Sequence, residues 1–172
     1  MLTRTSEIAL QVLLCLSVGG SSTPVSPRRL AEELHASPSY VAKVVARLTQ
    51  AGYLQVTRGA RGGVRLAAIP EHITLLEVVE LFQGKIRPGY CPTRLPLSRT
   101  CAYHRAMAKL HEAMVSVLRG WTVAALAREV SANPRYAPEC RMRCVREFSR
   151  KGDASATAGT GAGRRGIAHD RG

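Results

Sequence analysis

The chain has 172 residues, 45% of them hydrophobic and 22% charged, enough to bury one folded core with an appendage. No apolar run approaches the ~20 residues needed to cross a bilayer. The opening Met1-Leu2-Thr3-Arg4 leads into an amphipathic stretch rather than a signal-like apolar one, so a cytoplasmic protein without a membrane partner is expected. The formal net charge of +13, from 25 Lys and Arg against 12 Asp and Glu, argues for a polyanionic partner.

In chain order, Ile8, Val12, Leu13 and Leu16 recur at helical spacing and predict a first helix that ends before Gly19-Gly20. Ser26-Pro27 is a cap followed by a proline suited to the first helical position, and Leu30, Ala31 and Leu34 form the apolar face of a short second helix. Ser37-Pro38 repeats that start. Val41, Val44, Val45 and Leu48 then lie at i, i+3, i+4 and i+7 on a third helix that stops by Gly52. Two short helices joined by a tight turn are the helix-turn-helix arrangement, whose second helix enters the major groove.

Tyr53 to Thr57 and Val64 to Leu66 alternate in polarity and predict a hairpin with a basic, glycine-rich tip, Arg58-Gly59-Ala60-Arg61-Gly62-Gly63. Thr74-x-x-Glu77 is a capping box opening a helix closed by Gly84. Three prolines and Gly89 between 85 and 100 predict a loop holding Cys91, with Cys101 at its far end. From Ala102 to Trp121, the residues Met107, Leu110, Met114, Val117 and Trp121 step by 3, 4, 3 and 4, the pattern of a coiled-coil seam. A short helix over Val123 to Val130 follows. The stretch after Phe148 is poor in apolar residues, and a disordered basic tail is expected there.

The fold class expected is therefore mainly α with a small β-hairpin. Residues 1–84 form a winged helix-turn-helix, 85–100 a sensor loop, 101–148 a dimerisation helix with a C-terminal helical segment, and 149–172 the tail. The seam implies a homodimer. Across positions 43 to 65, Lys43, Arg47, Arg58, Arg61 and Arg65 occur without one acidic residue. That stripe, with Arg28, Ser37, Ser39 and Tyr40, is the candidate double-stranded-DNA surface. Lys and Arg neutralise phosphates, hydroxyls bond to phosphates or base edges, and a capped helix start favours an anion. Arg61 is equally suited to enter the minor groove.

An odd cysteine count, Cys15, Cys91, Cys101, Cys140 and Cys144, argues against a disulfide framework. Cys15 lies among leucines and reads as core, and Cys140 and Cys144 lie among arginines and read as surface. His111 falls beside the seam and reads as packing or solvent-facing. Cys101-x-x-His104 at a helix start can place both side chains on one face.

The opening Ala9-Leu10, Leu30-Ala31, Ser39-Tyr40-Val41, Ala51-Gly52-Tyr53-Leu54 and above all the Arg58-Gly59-Ala60-Arg61-Gly62-Gly63 wing resemble the Rrf-two family of winged-helix transcriptional regulators. The likeness continues through Ile73 to Val79 and Cys101-x-x-His104, over roughly residues 1 to 130. It implies a dimer on a palindromic operator, a repressor or dual regulator, and in many members an iron–sulfur cluster in the loop before the long helix. Cluster-binding members typically carry three closely spaced loop cysteines, and this loop has Cys91 and Cys101 alone. The metal site implied is Cys91, Cys101 and His104 holding a [2Fe–2S] cluster that senses redox state, iron or nitric oxide, with a further ligand from Cys140, Cys144, solvent or the second protomer. Two cysteines and a histidine suit zinc or a metal-free thiol pair as well. A thiol or metal enzyme on the same residues is the alternative from another class. It finds no nucleophile-base-orienter set, phosphate-cradling loop or paired carboxylates in support.

Overall fold

The computed structural model describes residues 2–19, 24–59, 62–87 and 99–132. Helix α1 (Arg4–Val18) begins four residues before the apolar repeat does, because its start is set by a cap. The Thr3 hydroxyl accepts from the Ser6 amide at 3.2 Å. Residues Ile8 through Leu16 are all buried, so α1 is the central rod against which the other elements pack. Helices α2 (Pro27–Glu33) and α3 (Pro38–Gln50) start at the two Ser-Pro pairs, where Ser26 Oγ accepts from the Arg29 amide and Ser37 Oγ from the Tyr40 amide. Between them His35 takes a left-handed conformation at φ 49°, which turns the chain tightly enough to lay α3 across α2.

Strands β1 (Leu54–Thr57) and β2 (Gly63–Leu66) form the antiparallel hairpin, pairing Leu54 with Leu66 and Thr57 with Gly63. A further pairing was not legible in the sequence: Val25, just before α2, exchanges both backbone hydrogen bonds with Val64, at 2.8 and 2.9 Å. A one-turn 3-10 helix at Pro70–His72 leads into α4 (Leu75–Gln83), whose capping box has both halves present. Gln83 ties the end of α4 to the start of α1, its side-chain oxygen accepting from the Thr3 amide at 3.1 Å and the Ser6 hydroxyl at 3.2 Å.

Helix α5 (Ala102–Gly120) buries only Leu118, and α6 (Val123–Ala132) returns to α1. Val123, Ala127 and Val130 of α6 join the same core as Ile8, Leu13, Leu30, Val41, Val44 and Leu48. The corner between α5 and α6 is fixed to the start of α4, since Trp121 O accepts from Leu75 N at 3.0 Å and Ile73 O from Val123 N at 2.9 Å. Cys15 is fully buried in the core, as its leucine neighbours suggest. Cys140, Cys144 and the tail from 149 lie outside the described residues, and so do Arg61 and Cys91.

Candidate DNA-reading surface

Helix α3 divides by chemistry along its length. Val41, Val44, Val45 and Leu48 are buried, and burial of each is worth ~1.5–3 kcal/mol, which anchors the helix and fixes what its other side presents. Ser39 and Lys43 lie on the exposed side, and the same helical steps add Ala42, Ala46 and Gln50. These three carry neither charge nor hydroxyl and so give no signal by composition, although the 3.6-residue period places them with Ser39 and Lys43. Exposed alanines matter at a DNA surface, since they permit close approach and contact thymine methyl groups.

Tyr40 and Arg47, seven residues apart, occupy a flank rather than the open face. From the sequence, Tyr40 sits on the outward side of α3, its ring free to pack against α2 and its hydroxyl to reach phosphate. Instead it is half-buried, and that hydroxyl donates to Thr5 Oγ1 of α1 at 2.8 Å, because the flank meets α1. Arg47 is exposed, yet its guanidinium carbon lies 5.5 Å from the ring centroid of Phe82 on α4. Ser37 caps α3 and its Oγ lies 3.4 Å from that of Ser39.

On α2, Arg28 pairs with Glu32 at 3.2 Å on the surface. On the hairpin, Arg65 donates to Gln55 across the pair at 2.9 Å. Among the described residues neither Lys43 nor Arg58 stands in an ion pair, so both charges are available to a polyanion. The wing tip closes through Gly62 N–H donating to Gly59 O at 2.9 Å. A Cβ on Gly62 would run into the Thr57 carbonyl oxygen, and one on Gly63 would come within 2.8 Å of the Val25 carbonyl oxygen. Glycine is thus required at both positions by backbone on the other side.

At the other end of the described structure Cys101 caps α5, its Sγ 3.4 Å from the His104 amide. Cys101 is exposed and His104, one turn on, is half-buried. Arg105 reaches back to the Thr100 carbonyl at 2.6 Å, and the His111 ring bonds the Ile86 carbonyl at 3.0 Å, a packing role. Among the described residues no three His, Cys, Asp or Glu side chains gather as a metal site. Along α5, Leu110, Val117 and Trp121 are exposed, and Met107 and Met114 are half-buried, Met114 against the core. Tyr103, 63% exposed, lies one step N-terminal of Met107 and extends the apolar pattern of α5.

The Rrf2 family model, described as an iron-dependent transcriptional regulator, matches residues 2–129. The chain belongs to the Rrf2 family. It is 31% identical over 139 residues to protein rrf2 of Nitratidesulfovibrio vulgaris, covering 79% of this chain and 93% of that protein. It is 30% identical over 132 residues to the transcriptional regulator NsrR of Bacillus licheniformis, covering 71% of this chain and 88% of the relative. The structure of CymR, the global cysteine regulator of B. subtilis, superposes with a TM-score of 0.64 at 23% identity over 75% of this chain and 97% of CymR, a likeness of fold. As an Rrf2 protein the chain is a winged-helix, DNA-binding transcription regulator and not an enzyme. Among the described residues no helix is long and apolar enough to cross a membrane.

Proposed function

We propose that this Rrf2 protein acts in the cytoplasm as a homodimeric repressor on a palindromic operator, with α3 in the major groove and the hairpin on the phosphate backbone. The observation that carries this reading is the pairing of an open α3 face and unpaired Lys43 and Arg58 with an α5 seam left exposed within one protomer. Ser37, Ser39, Lys43 and Gln50 approach bases and phosphates, Arg28, Arg47, Arg58, Arg61 and Arg65 supply charge, and Met107, Leu110, Met114, Val117 and Trp121 meet the second copy. Lys43→Ala and Arg58→Ala should each lower the slope of log affinity against log salt by about 1. If the double variant binds operator DNA like the parent at every salt concentration, α3 and the wing are not the reading surface.

In the same reading Cys91, Cys101 and His104 form the sensing site. Cys101 and His104, a thiol and an imidazole one turn apart at the head of α5, suit two ligands of a [2Fe–2S] cluster. When bound, such a cluster supplies one-electron redox chemistry, and the chain's own part is to hold it where the loop meets the seam helix. A metal-free thiol sensor is supported by the exposure of Cys101 beside the cationic Arg99 and Arg105. Protein purified without oxygen should be coloured and hold iron and sulfide, both lost in Cys101→Ala. Colourless, iron-free protein whose DNA affinity switches with oxidant would select the thiol reading. DNA binding indifferent to iron, oxidant and nitric oxide in both parent and Cys101→Ala would remove the sensor.

A further inference from the structure

We infer that Phe82 is a positioning residue for DNA binding: its ring holds the Arg47 guanidinium on the flank of α3, making the last turn of α4 a working part of the DNA-reading surface. The inference rests on the reading above that Arg47 meets DNA. Arg47 lies on the surface, where a long side chain would ordinarily sample many rotamers and lose that freedom on binding. Its guanidinium carbon lies 5.5 Å from the Phe82 centroid, within the range at which the negative face of an aromatic ring attracts a cation. A ring that attracts a guanidinium through its face need not use the N–H donors, which lie in the guanidinium plane and can still bond a phosphate.

Phe82 can do this because it is itself fixed. It is half-buried against the core, and the residues on either side of it in the last turn of α4 are tied to other elements. Gln83 accepts from Thr3 and Ser6 of α1. Glu80 accepts from Lys85 Nζ at 2.6 Å and from the Ile86 amide at 3.2 Å, and the Ile86 carbonyl is held by His111 of α5. Phe82 thus stands where the start of the 85–100 segment, the head of α1 and the flank of α3 converge. Tyr40, on the same flank, is held from α1 by Thr5, so the two larger side chains of that flank are both set by neighbouring helices.

The test is a double-mutant cycle in the full chain, reading affinity for a random-sequence duplex at low salt, where phosphate contacts dominate. Phe82→Leu should weaken binding about 2- to 5-fold, the scale of an exposed cation–π contact, while Phe82→Trp retains it. In an Arg47→Ala background Phe82→Leu should cause no further loss. Should Phe82→Leu fold poorly, a fluorinated phenylalanine at 82, which keeps the ring's shape and removes its negative face, should give the same loss at unchanged thermal stability. Equal losses in both backgrounds would make Phe82 merely structural and overturn the inference. So would full affinity in the fluorinated protein when Arg47→Ala alone weakens binding. If Arg47→Ala alone changes nothing, the assignment of Arg47 to DNA fails and the inference fails with it.

Discussion

Helices α3 and α5 are both amphipathic, of 13 and 19 residues, and they dispose of their apolar faces in opposite ways. The stripe of α3 is consumed inside its own protomer, leaving a polar side free for another molecule. On α5 only Leu118 is buried, while Leu110 and Val117 stay about 60% exposed. A helix with its apolar side buried is finished as a piece of fold and its polar side is open to function. One that shows its apolar side to solvent is unfinished until a second surface covers it. The contrast separates a head whose apolar face is covered within the chain from a helix whose apolar face is left open, the face that the proposed dimer would cover.

The comparison breaks most decisively at the buried stripe. Leu48→Ala should cost ~2–5 kcal/mol, from lost burial and the cavity left behind, read as a fall in the urea midpoint. Val117→Glu should instead spare the fold of the protomer and raise the dimer dissociation constant about 100-fold, since the seam would bury an unpaired carboxylate. An unchanged mass in sedimentation at low concentration would show that α5 is not the seam. Ser37→Ala removes the cap of α3 and should cost ~1 kcal/mol in stability, sharpening how much of the head's order lies in its helix start. The smallest effect is at the end of α4. The hydrogen bond from Lys85, aided by the Ile86 amide against the opposing effect of burial, holds Glu80 below the usual carboxylate range. A depressed carboxylate stabilises the fold above its unfolded pKa, and that gain is lost as pH falls through the folded one. Glu80→Gln should therefore lower stability slightly at neutral pH and flatten its decline in acid, as measured by urea midpoints across that range.

Local chemistry made most of this legible. The Ser-Pro pairs, the Thr74/Glu77 box and Gly84 mark ends that the structure keeps, because caps are satisfied by residues three or four apart. The start of α1 was harder to read, since Thr3 precedes any apolar repeat. What sequence spacing could not give were contacts between distant positions. Val25 with Val64, Tyr40 with Thr5 and Arg47 with Phe82 each join residues whose partner has no signature of its own. The hydroxyl of Tyr40 bonds Thr5 of α1 and not a phosphate for that reason: periodicity assigns a flank, and only the packed neighbour decides which way a long side chain lies on it. In the same way the return of α6 to α1 follows from where α5 ends and not from any pattern within α6.

The double hydrogen bond between Val25 and Val64 bears on how a protomer can meet a duplex. Val25 stands two residues before α2, so the hairpin is clipped to the root of the helix-turn-helix and cannot swing as a hinged arm. The distance from α3 to the paired strands of the hairpin is then a fixed gauge, set by the chain alone. If α3 and the hairpin meet DNA as proposed, a sequence that demanded a different spacing between the two contacts would have to yield by bending its own DNA.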